Sequence, residues 1–434
     1  MAQFQKGLKN ILQKHPNDVV FLSALRTPIT RSYKGGLRNA YPEQMLAAVS
    51  HLSHASVLSS DLFQPQVLRA TLTQNPNVPP SNIQDVAVGT VLSELGGSKA
   101  ARMALNHVGY PSSTSLYTVN RACASSLQAI TTIADSISVG RIDIGIGAGT
   151  ESMTRNYASK AVPTDLWPEL KSSPVQEARD CIMPMGITSE NVAERYNISR
   201  ADQDAFGAAS HTRASAAQKA GFFAKEIVPV TVTNPPSETQ PTEETVSVNS
   251  DDGIRHNATT SSMAKLKPVF KETGTTTAGN SSQISDGASA ALLCRRSTAT
   301  SLGLSSSIVG KFAGSTVIGV PPDEMGIGPA YAIPALLAAM GIQKEDVGVW
   351  EINEAFASQA LYCIRELGLE GAMEKGRINP KGGAIALGHP LGATGGRMVS
   401  TILHEMEGKE FGELGVVSMC VGTGMGMAGL IVRE

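Results

Sequence analysis

The sequence predicts an α/β protein built from two similar halves, with a polar segment inserted into the first half. Three observations predict this class. Apolar β-branched runs alternate with amphipathic helices, the same order of elements occurs twice, and a segment of different composition separates the two runs. A chain of 434 residues, against about 100 to 200 residues per domain, agrees with more than one domain.

The first half opens with two predicted buried strands, residues 18–24 and 85–91, in which apolar residues run between turn residues. Cys123 then precedes a predicted helix with an apolar stripe from Leu127 to Ile137, which a glycine ends. The segment IDIGIGAG, residues 142–149, reads as the next buried strand.

The second half repeats this order. Residues 308–313 match the opening strand, and residues 346–352 match the second, again starting with Asp-Val. His389 then precedes a predicted helix over residues 398–406, and a strand follows at 414–420. The duplication places His389 at the position that a cysteine holds in the first half, each ahead of a helix.

The segment between the halves predicts a separate, inserted unit. It begins with helix-like stretches at residues 187–220 and turns rich in Thr, Ser, Pro and Asn at 231–262, which predicts a surface excursion that can carry binding loops. The predicted division is residues 1–152 completed by about 284–305, the insertion 153–283, and the second half 306–434.

Composition excludes several classes. The 36 basic and 38 acidic residues give a net charge of -2, which leaves no basic field for nucleic acid. No apolar run reaches the length of a membrane span, so no membrane partner is expected. Five cysteines without a C-x-x-C pair argue against a disulfide scaffold or a zinc site, and they predict an intracellular protein with reduced thiols.

The amino terminus predicts a short basic amphipathic helix over residues 3–15. Two interpretations stay open: an extension helix packed on the body, or a targeting segment.

Glycine is concentrated near the carboxyl terminus, with 14 glycines in residues 376–429, which predicts close approach of backbone to a neighbour. Gly424, Gly426 and Gly429 match G-x-G-x-x-G, but only five residues follow, too few for a dinucleotide-binding unit. His389 lies within this glycine-rich stretch, in a setting unusual for a structural histidine.

Two cysteines have settings that favour chemistry. Cys123 lies at a predicted helix start, where backbone N–H groups are expected to stabilise a thiolate and lower the pKa. Cys420 lies at a strand end that enters a glycine loop, and Asn353 and Glu354 end the matching strand. With His389, these residues are expected to meet at one mouth of the body. The remaining cysteines are predicted to be structural: Cys181, Cys294 and Cys363.

Seven ordered segments carry a resemblance that spans most of the chain: VNRACASS, CIMPMGITSENVAE, TTTAGNSSQISDGASA, GVPPDEMGIGPAYAIP, EINEAFASQA, NPKGGAIALGHPLGATGGR and SMCVGTGMG. Together they resemble the thiolase family, and most closely its peroxisomal 3-ketoacyl-CoA thiolases. The resemblance implies five layers, α-β-α-β-α, made of two duplicated halves with an inserted loop domain.

The resemblance also implies the chemistry. Cys123 would be the acylated nucleophile, His389 its activator and Cys420 the acid and base. Asn353 would hold a water that forms one oxyanion hole with His389, and the N–H groups of Cys123 and Gly422 would form the other. No cofactor is permanently bound, and coenzyme A enters as a substrate together with 3-ketoacyl-CoA, with acetyl-CoA as a product.

By the same resemblance, coenzyme A would lie on the insertion, against Arg255, Ser262, Ala278 and Ser282, with Met185 lining the acyl or pantetheine tunnel. A homodimer is also implied.

Two departures from the family are present: Ser126 stands where thiolases usually have Gly, and Ala122 where Gln or Met is common. The peroxisomal targeting nonapeptide is not matched by residues 6–14, so a peroxisomal location rests on the family likeness, with cytosol and mitochondrion as alternatives.

Other functions stay open. A biosynthetic acetoacetyl-CoA thiolase would use the same catalytic residues, and a thiolase fold can also serve as a non-catalytic lipid-binding protein. A ketosynthase is disfavoured because that class replaces Cys420 with a second catalytic histidine. A papain-like protease is disfavoured by chain order and by the second cysteine.

Overall fold

The structure, a computed structural model, describes residues 6–47, 67–163, 165–236 and 241–434. In this part of the chain the strands are β1 (Val19–Arg26), β2 (Thr30–Arg31), β3 (Asp85–Gly89), β4 (Ser115–Val119), β5 (Ile144–Ser152), β6 (Val230–Asn234), β7 (Glu244–Val248), β8 (Ser285–Arg295), β9 (Gly310–Gly319), β10 (Val349–Ile352), β11 (Leu414–Val421) and β12 (Met425–Arg433).

The α-helices of the same residues are α1 (Leu8–Leu12), α2 (Pro42–Leu46), α3 (Val67–Gln74), α4 (Ser98–His107), α5 (Ser125–Ser138), α6 (Met153–Lys160), α7 (Pro168–Lys171), α8 (Gln176–Asp180), α9 (Met185–Arg195), α10 (Arg200–Lys219), α11 (Thr260–Ala264), α12 (Arg296–Ser301), α13 (Gly328–Met340), α14 (Ala357–Glu366), α15 (Glu370–Glu374), α16 (Ala384–Leu387) and α17 (Thr394–Glu405). Short 3-10 helices cover Pro80–Asn82, Glu94–Gly97, Phe222–Lys225, Ser305–Ser307, Pro322–Ile327, Lys344–Asp346 and Leu391–Ala393.

The strand order demonstrates the duplication. The first half runs β4-β3-β5-β8-β1 and the second runs β10-β11-β12-β9, and β1 and β9 pair antiparallel where the halves meet. In the first half β3 is parallel to β4 and β5, and the other neighbours are antiparallel. The second half has the same directions, including a parallel bridge from Trp350 to Ile378 in the place of β4.

Alternating side chains of these strands divide the interior into layers. On β1, Val19 and Phe21 face a central cluster, whereas Val20 and Leu22 face an outer one. The central cluster contains α5 and α17 and receives side chains from both halves of the sheet. Helices α3 and α4 cover the outer face of the first half, and α13 and α14 cover that of the second. The α/β fold and its five layers, α-β-α-β-α, are confirmed.

The predicted strands and helices of both halves are present, with ends that differ by a few residues. The predicted helical stretch 187–220 is two helices, α9 and α10. Strand β8 lies between β1 and β5, as expected if residues 284–305 complete the first half. The domain limits themselves stay a prediction.

The polar segment 231–262 is not only a surface excursion. Strands β6 and β7 pair there, and Val230 and Val232 are buried in the outer core of the first half. Asp251 is buried as well, and its carboxylate accepts two hydrogen bonds from the guanidinium of Arg26 on β1, at 2.7 and 2.9 Å. Composition hid this part of the core because the segment alternates apolar and polar residues.

At the amino terminus, the described part of the predicted helix packs on the body. Ile11 of α1 is 1% exposed within the core of the second half, and the Gly7 N–H donates to the Met340 carbonyl at 2.7 Å. Residues 3–5 of the prediction lie outside the described residues. In the described part of the chain, no helix has the length and apolar character to cross a membrane.

Candidate active site

Cys123 lies in a tight turn between β4 and α5. Ala122 has a φ of 41°, in the left-handed region. Ser125 stabilises the turn because its Oγ donates to the Ala122 carbonyl at 2.7 Å and accepts from the Arg121 N–H at 2.9 Å. Helix α5 begins at Ser125, so Cys123 lies just before the first helical turn. The backbone therefore presents this side chain at the end of the sheet.

The prediction that the helix start lowers the pKa of Cys123 is wrong. Burial raises the pKa of this thiol to about 11. The backbone N–H groups of Gly422 and of Cys123 itself lower the pKa by less, and the nearby charge of Glu151 raises it. Cys123 is therefore a protonated thiol at neutral pH, and it needs a base to become a nucleophile.

His389 is held by backbone that only glycine permits. Gly388 has a φ of 107°, and a Cβ there would lie 2.2 Å from the Oγ of Ser285. The His389 N–H donates to the Gln283 carbonyl at 3.1 Å, on the segment that leads into β8. The glycine before the histidine thus allows the second half to dock its active-site turn against the first.

Hydrogen bonds determine which imidazole nitrogen is free. The Thr394 hydroxyl donates to the Pro390 carbonyl at 3.0 Å, so it must accept from Nδ1 of His389, which lies 2.7 Å away. Nε2 therefore carries the lone pair. Burial, followed by the positive charge of Arg397, lowers the pKa of His389 to about 4. The imidazole is neutral at neutral pH and is able to accept a proton.

The side-chain amide of Asn353 donates to this unprotonated nitrogen. Its Nδ2 lies 3.5 Å from His389 Nε2, and the backbone N–H of Asn353 donates to the Ser418 carbonyl of β11 at 2.9 Å. The side chain is buried, and its Oδ1 has no hydrogen-bond partner among the described residues. Asn353 thus offers a buried polar atom that a small polar group can satisfy.

Cys420 is fully buried near the end of β11, two residues after Ser418. It packs with Met325, Ala355 and Phe356 in a small apolar cluster that Met185 also contacts. Burial raises the pKa of Cys420 well above its ordinary value, and the sulfur of Cys123 is near enough to add to this rise. Cys363 adds to this rise as well. Both Cys123 and Cys420 are protonated at neutral pH.

The loop after Cys420 closes the site. A Cβ at Gly422 would lie 3.5 Å from the Cβ of Ala122 and 3.9 Å from the sulfur of Met185. Three distant parts of the chain therefore meet at Cys123. The contact of Asn353 with β11 joins the His389 and Asn353 pair to this group.

Two buried residues connect the halves. Glu151 is not among the residues predicted from the sequence, and the sequence leaves the effect of Ser126 open. Glu151 accepts backbone N–H groups from Val91 at 2.9 Å and from Gly392 at 3.1 Å, and burial raises its pKa to about 7. Ser126 accepts the Gly396 N–H at 2.8 Å, so it joins the starts of α5 and α17. An acid just after a buried strand was the available signal for Glu151.

The five residues expected to contact coenzyme A are found at two places on the insertion. At its outer end the Arg255 guanidinium donates to the Ala278 carbonyl at 3.2 Å, and Ser262 is an exposed residue of the cap of α11. At its inner end the Ser282 N–H donates to the Ala355 carbonyl at 2.9 Å, next to the cluster of Cys420 and Met185.

The other cysteines are outside this site. Cys294 and Cys363 are buried in the outer cores, as expected for structural residues. Cys181 is exposed, and its structural role stays a prediction. No group of three or more metal-binding side chains is present in the described ranges.

Comparison with known proteins decides the family. The family model "Thiolase, N-terminal domain" matches residues 19–297, and the family model "Thiolase, C-terminal domain" matches residues 306–433. The chain belongs to the thiolase family.

This thiolase is 47% identical over 416 residues to 3-ketoacyl-CoA thiolase B, peroxisomal, of Rattus norvegicus, covering 96% of the chain and 91% of the relative. It is 46% identical over 430 residues to the peroxisomal 3-ketoacyl-CoA thiolase of Yarrowia lipolytica, covering 99% and 96%. The crystal structure of the dimeric peroxisomal thiolase of Saccharomyces cerevisiae has a TM-score of 0.83 and 42% identity, covering 98% of this chain and 100% of that one.

Proposed function

We propose that this thiolase cleaves 3-ketoacyl-CoA with coenzyme A in fatty acid β-oxidation, giving acetyl-CoA and an acyl-CoA shortened by two carbons. The observation that carries the proposal is that Gly422, two residues after Cys420, lies beside Ala122, the residue before Cys123, and beside Met185, which contacts the cluster of Cys420. An acyl transfer that breaks a carbon–carbon bond requires both a nucleophile and a separate proton donor.

Cys123 is the nucleophile, and His389 is its base. The neutral imidazole with a free Nε2 takes the thiol proton, and the thiolate attacks the 3-keto carbon. The proton transfer starts from two neutral groups, so the buried site holds no isolated charge before substrate arrives.

Two sets of donors receive the negative oxygens. The N–H groups of Gly422 and Cys123, which are directed at the sulfur, form one oxyanion hole. In the other, Asn353 holds a water that acts with His389, and the unpartnered Oδ1 of Asn353 supports this role. One oxyanion donor contributes roughly 3 to 4 kcal/mol to the stability of such a transition state.

Cys420 handles the carbon fragment. When the carbon–carbon bond breaks, its electron pair passes to the enolate of acetyl-CoA, and the Cys420 thiol protonates that carbon. An acyl thioester remains on Cys123. Cys420, now a thiolate, removes the proton of incoming coenzyme A, whose sulfur attacks the acyl-enzyme and releases the thiolate of Cys123, which takes back its proton from His389. The raised pKa of Cys420 suits a group that must hold a proton until the enolate forms.

Coenzyme A lies along the insertion. Arg255 is exposed and contacts the nucleotide as a cation beside phosphate. Ser262, Ala278 and Ser282 follow the nucleotide and pantetheine toward Met185 at the reaction centre.

The enzyme acts as a homodimer. The related Saccharomyces cerevisiae enzyme is dimeric, and a surface suited to a second copy surrounds β4, an edge strand of the large sheet. Leu95 and Met103, on elements packed next to β4, are 86% and 71% exposed.

The location is peroxisomal, in line with the names of the relatives.

The test is thiolysis of 3-ketoacyl-CoA substrates of increasing length. We expect cleavage of short, medium and long chains, with loss of at least about 100-fold in kcat for Cys420→Ala. Activity confined to the four-carbon substrate would instead support a biosynthetic acetoacetyl-CoA thiolase. Absence of cleavage at every length would support a non-catalytic lipid-binding protein.

A further inference from the structure

A buried ion pair lies behind the contact between His389 and Asn353. Arg397, on α17, donates from Nη1 to Glu351 Oε2 at 2.9 Å, and the two side chains are 3% and 1% exposed. Neither residue belongs to the chemistry proposed above. A buried ion pair contributes little net stability compared with apolar residues of the same volume, so its presence needs another explanation.

The pair joins the two elements that carry the active-site contact. Glu351 is on β10, which ends at Ile352, and Asn353 follows that strand directly. Arg397 follows by one helical turn Thr394, the hydroxyl that holds His389 Nδ1. The pair therefore fixes the spacing of α17 and β10 at the level where Asn353 Nδ2 and His389 Nε2 lie 3.5 Å apart.

The surroundings leave Arg397 bound to one carboxylate. Arg397 Nε, Glu351 Oε1 and both oxygens of Glu405 have no hydrogen-bond partner among the described residues. The other charged or titratable groups that face this cluster belong to β1, β10, α10, α17 and the connecting loops: Glu226, Glu354, Arg213, Lys381, Arg26, Asp251 and His404.

Burial favours the protonated, uncharged form of two carboxyl groups in this cluster. Burial raises the pKa of Glu405 well above its ordinary value, and burial raises that of Glu351 to about 7. A neutral Glu405 does not compete with Glu351 for the guanidinium. The positive charge of Arg397 also lowers the pKa of the His389 imidazole, because it opposes protonation.

We propose that Arg397 and Glu351 are positioning residues, which hold His389 against Asn353 and keep the imidazole uncharged so that Nε2 can accept the proton of Cys123. This inference rests on the proposed function of His389. It predicts that the buried pair affects the low-pH side of the pH profile of kcat/KM. A purely structural ion pair would not have this effect.

The test compares pH profiles of kcat/KM for thiolysis in the wild type, Glu351→Gln, Arg397→Met and Arg397→Lys. Glu351→Gln reproduces the uncharged side chain that Glu351 has below about pH 7, so its acid limb is expected to stay at the wild-type pH. Arg397→Met removes the charge, so its acid limb is expected at higher pH. Arg397→Lys keeps the charge and is expected to keep the limb. We expect kcat to fall about tenfold to 100-fold in the first two variants, with KM for coenzyme A unchanged.

Glu407→Gln is the matched control, because Glu407 follows α17 directly and its side chain is 46% exposed. Circular dichroism and size-exclusion chromatography check folding, and if Arg397→Met does not fold, Arg397→Gln, which is also uncharged, replaces it. An acid limb of the uncharged variant that stays at the wild-type pH would overturn the inference. An inactive wild type would instead refute the proposed function.

Discussion

Burial shifts the pKa values of the two central residues, Cys123 and His389, in opposite directions. Burial raises the pKa of Cys123 to about 11 and lowers that of His389 to about 4. Both groups are consequently neutral when the site is empty of substrate, and charge develops only as the thiol attacks. The donors around Cys123 then stabilise charge that forms during the reaction.

Gly388→Ala tests how the backbone positions His389. The new Cβ would meet the Oγ of Ser285 at 2.2 Å, and the φ of 107° would be strained for alanine. We expect the free energy of unfolding to fall by about 1 to 3 kcal/mol, with a larger loss of kcat than of stability. Gly376→Ala is the control, since its φ is 67° and no atom lies within 4 Å. Equal kcat in the two variants would contradict the positioning role.

Glu405→Gln tests the buried proton. The folded protein retains a proton that an unfolded chain loses above about pH 4.5, so the wild type loses stability as pH rises above that value. Gln keeps the shape of the neutral acid without this penalty. We expect Glu405→Gln to raise Tm relative to the wild type more at about pH 8 than at about pH 5. A Tm difference independent of pH would show that Glu405 is ionised in the folded state.

At the scale of elements, the crossing of α5 and α17 brings the two halves of the site together. The Ser126 hydroxyl accepts the Gly396 N–H, and a Cβ at Gly395 would lie 2.6 Å from the backbone nitrogen of Leu127. The helices therefore touch through their backbones. The serine that departs from the usual glycine of the family is part of this contact.

Ser126→Ala is expected to lower the free energy of unfolding by about 1 to 3 kcal/mol, because the buried Gly396 N–H loses its acceptor. Chemical denaturation measures the change. Thr132→Ala is the control on the same helix, since the Thr132 hydroxyl donates to the Gln128 carbonyl one turn before it. A loss no larger than that of the control would contradict the account of this crossing.

The duplicated strands and helices were predictable because apolar periodicity is a local property of the sequence. The glycines around His389 also predicted close backbone contacts correctly. The proton affinity of Cys123 was not predictable, because burial by distant segments outweighs the helix start. The buried strand β6 and the Asp251 partner of Arg26 were hidden in a polar segment, since pairing across more than 200 residues leaves no local pattern.

At the scale of the whole molecule, buried charges tie the insertion to the first half. The Arg26 side chain is fully buried and binds both Glu226 and Asp251 of the insertion. Arg26→Met leaves two buried carboxylates without their cation and is expected to cost about 3 to 5 kcal/mol of stability. Arg31→Met is the control, since Arg31 pairs with Asp252 but is 49% exposed. Equal Tm losses would contradict this role of Arg26.

The account depends most on an acyl group passing through Cys123. Intact-protein mass spectrometry after mixing the enzyme with a 3-ketoacyl-CoA, without free coenzyme A, measures this directly. We expect one added acyl group per chain, which free coenzyme A then removes, and no adduct on Cys123→Ala. An undiminished adduct on Cys123→Ala, or none on the wild type, would contradict the central claim.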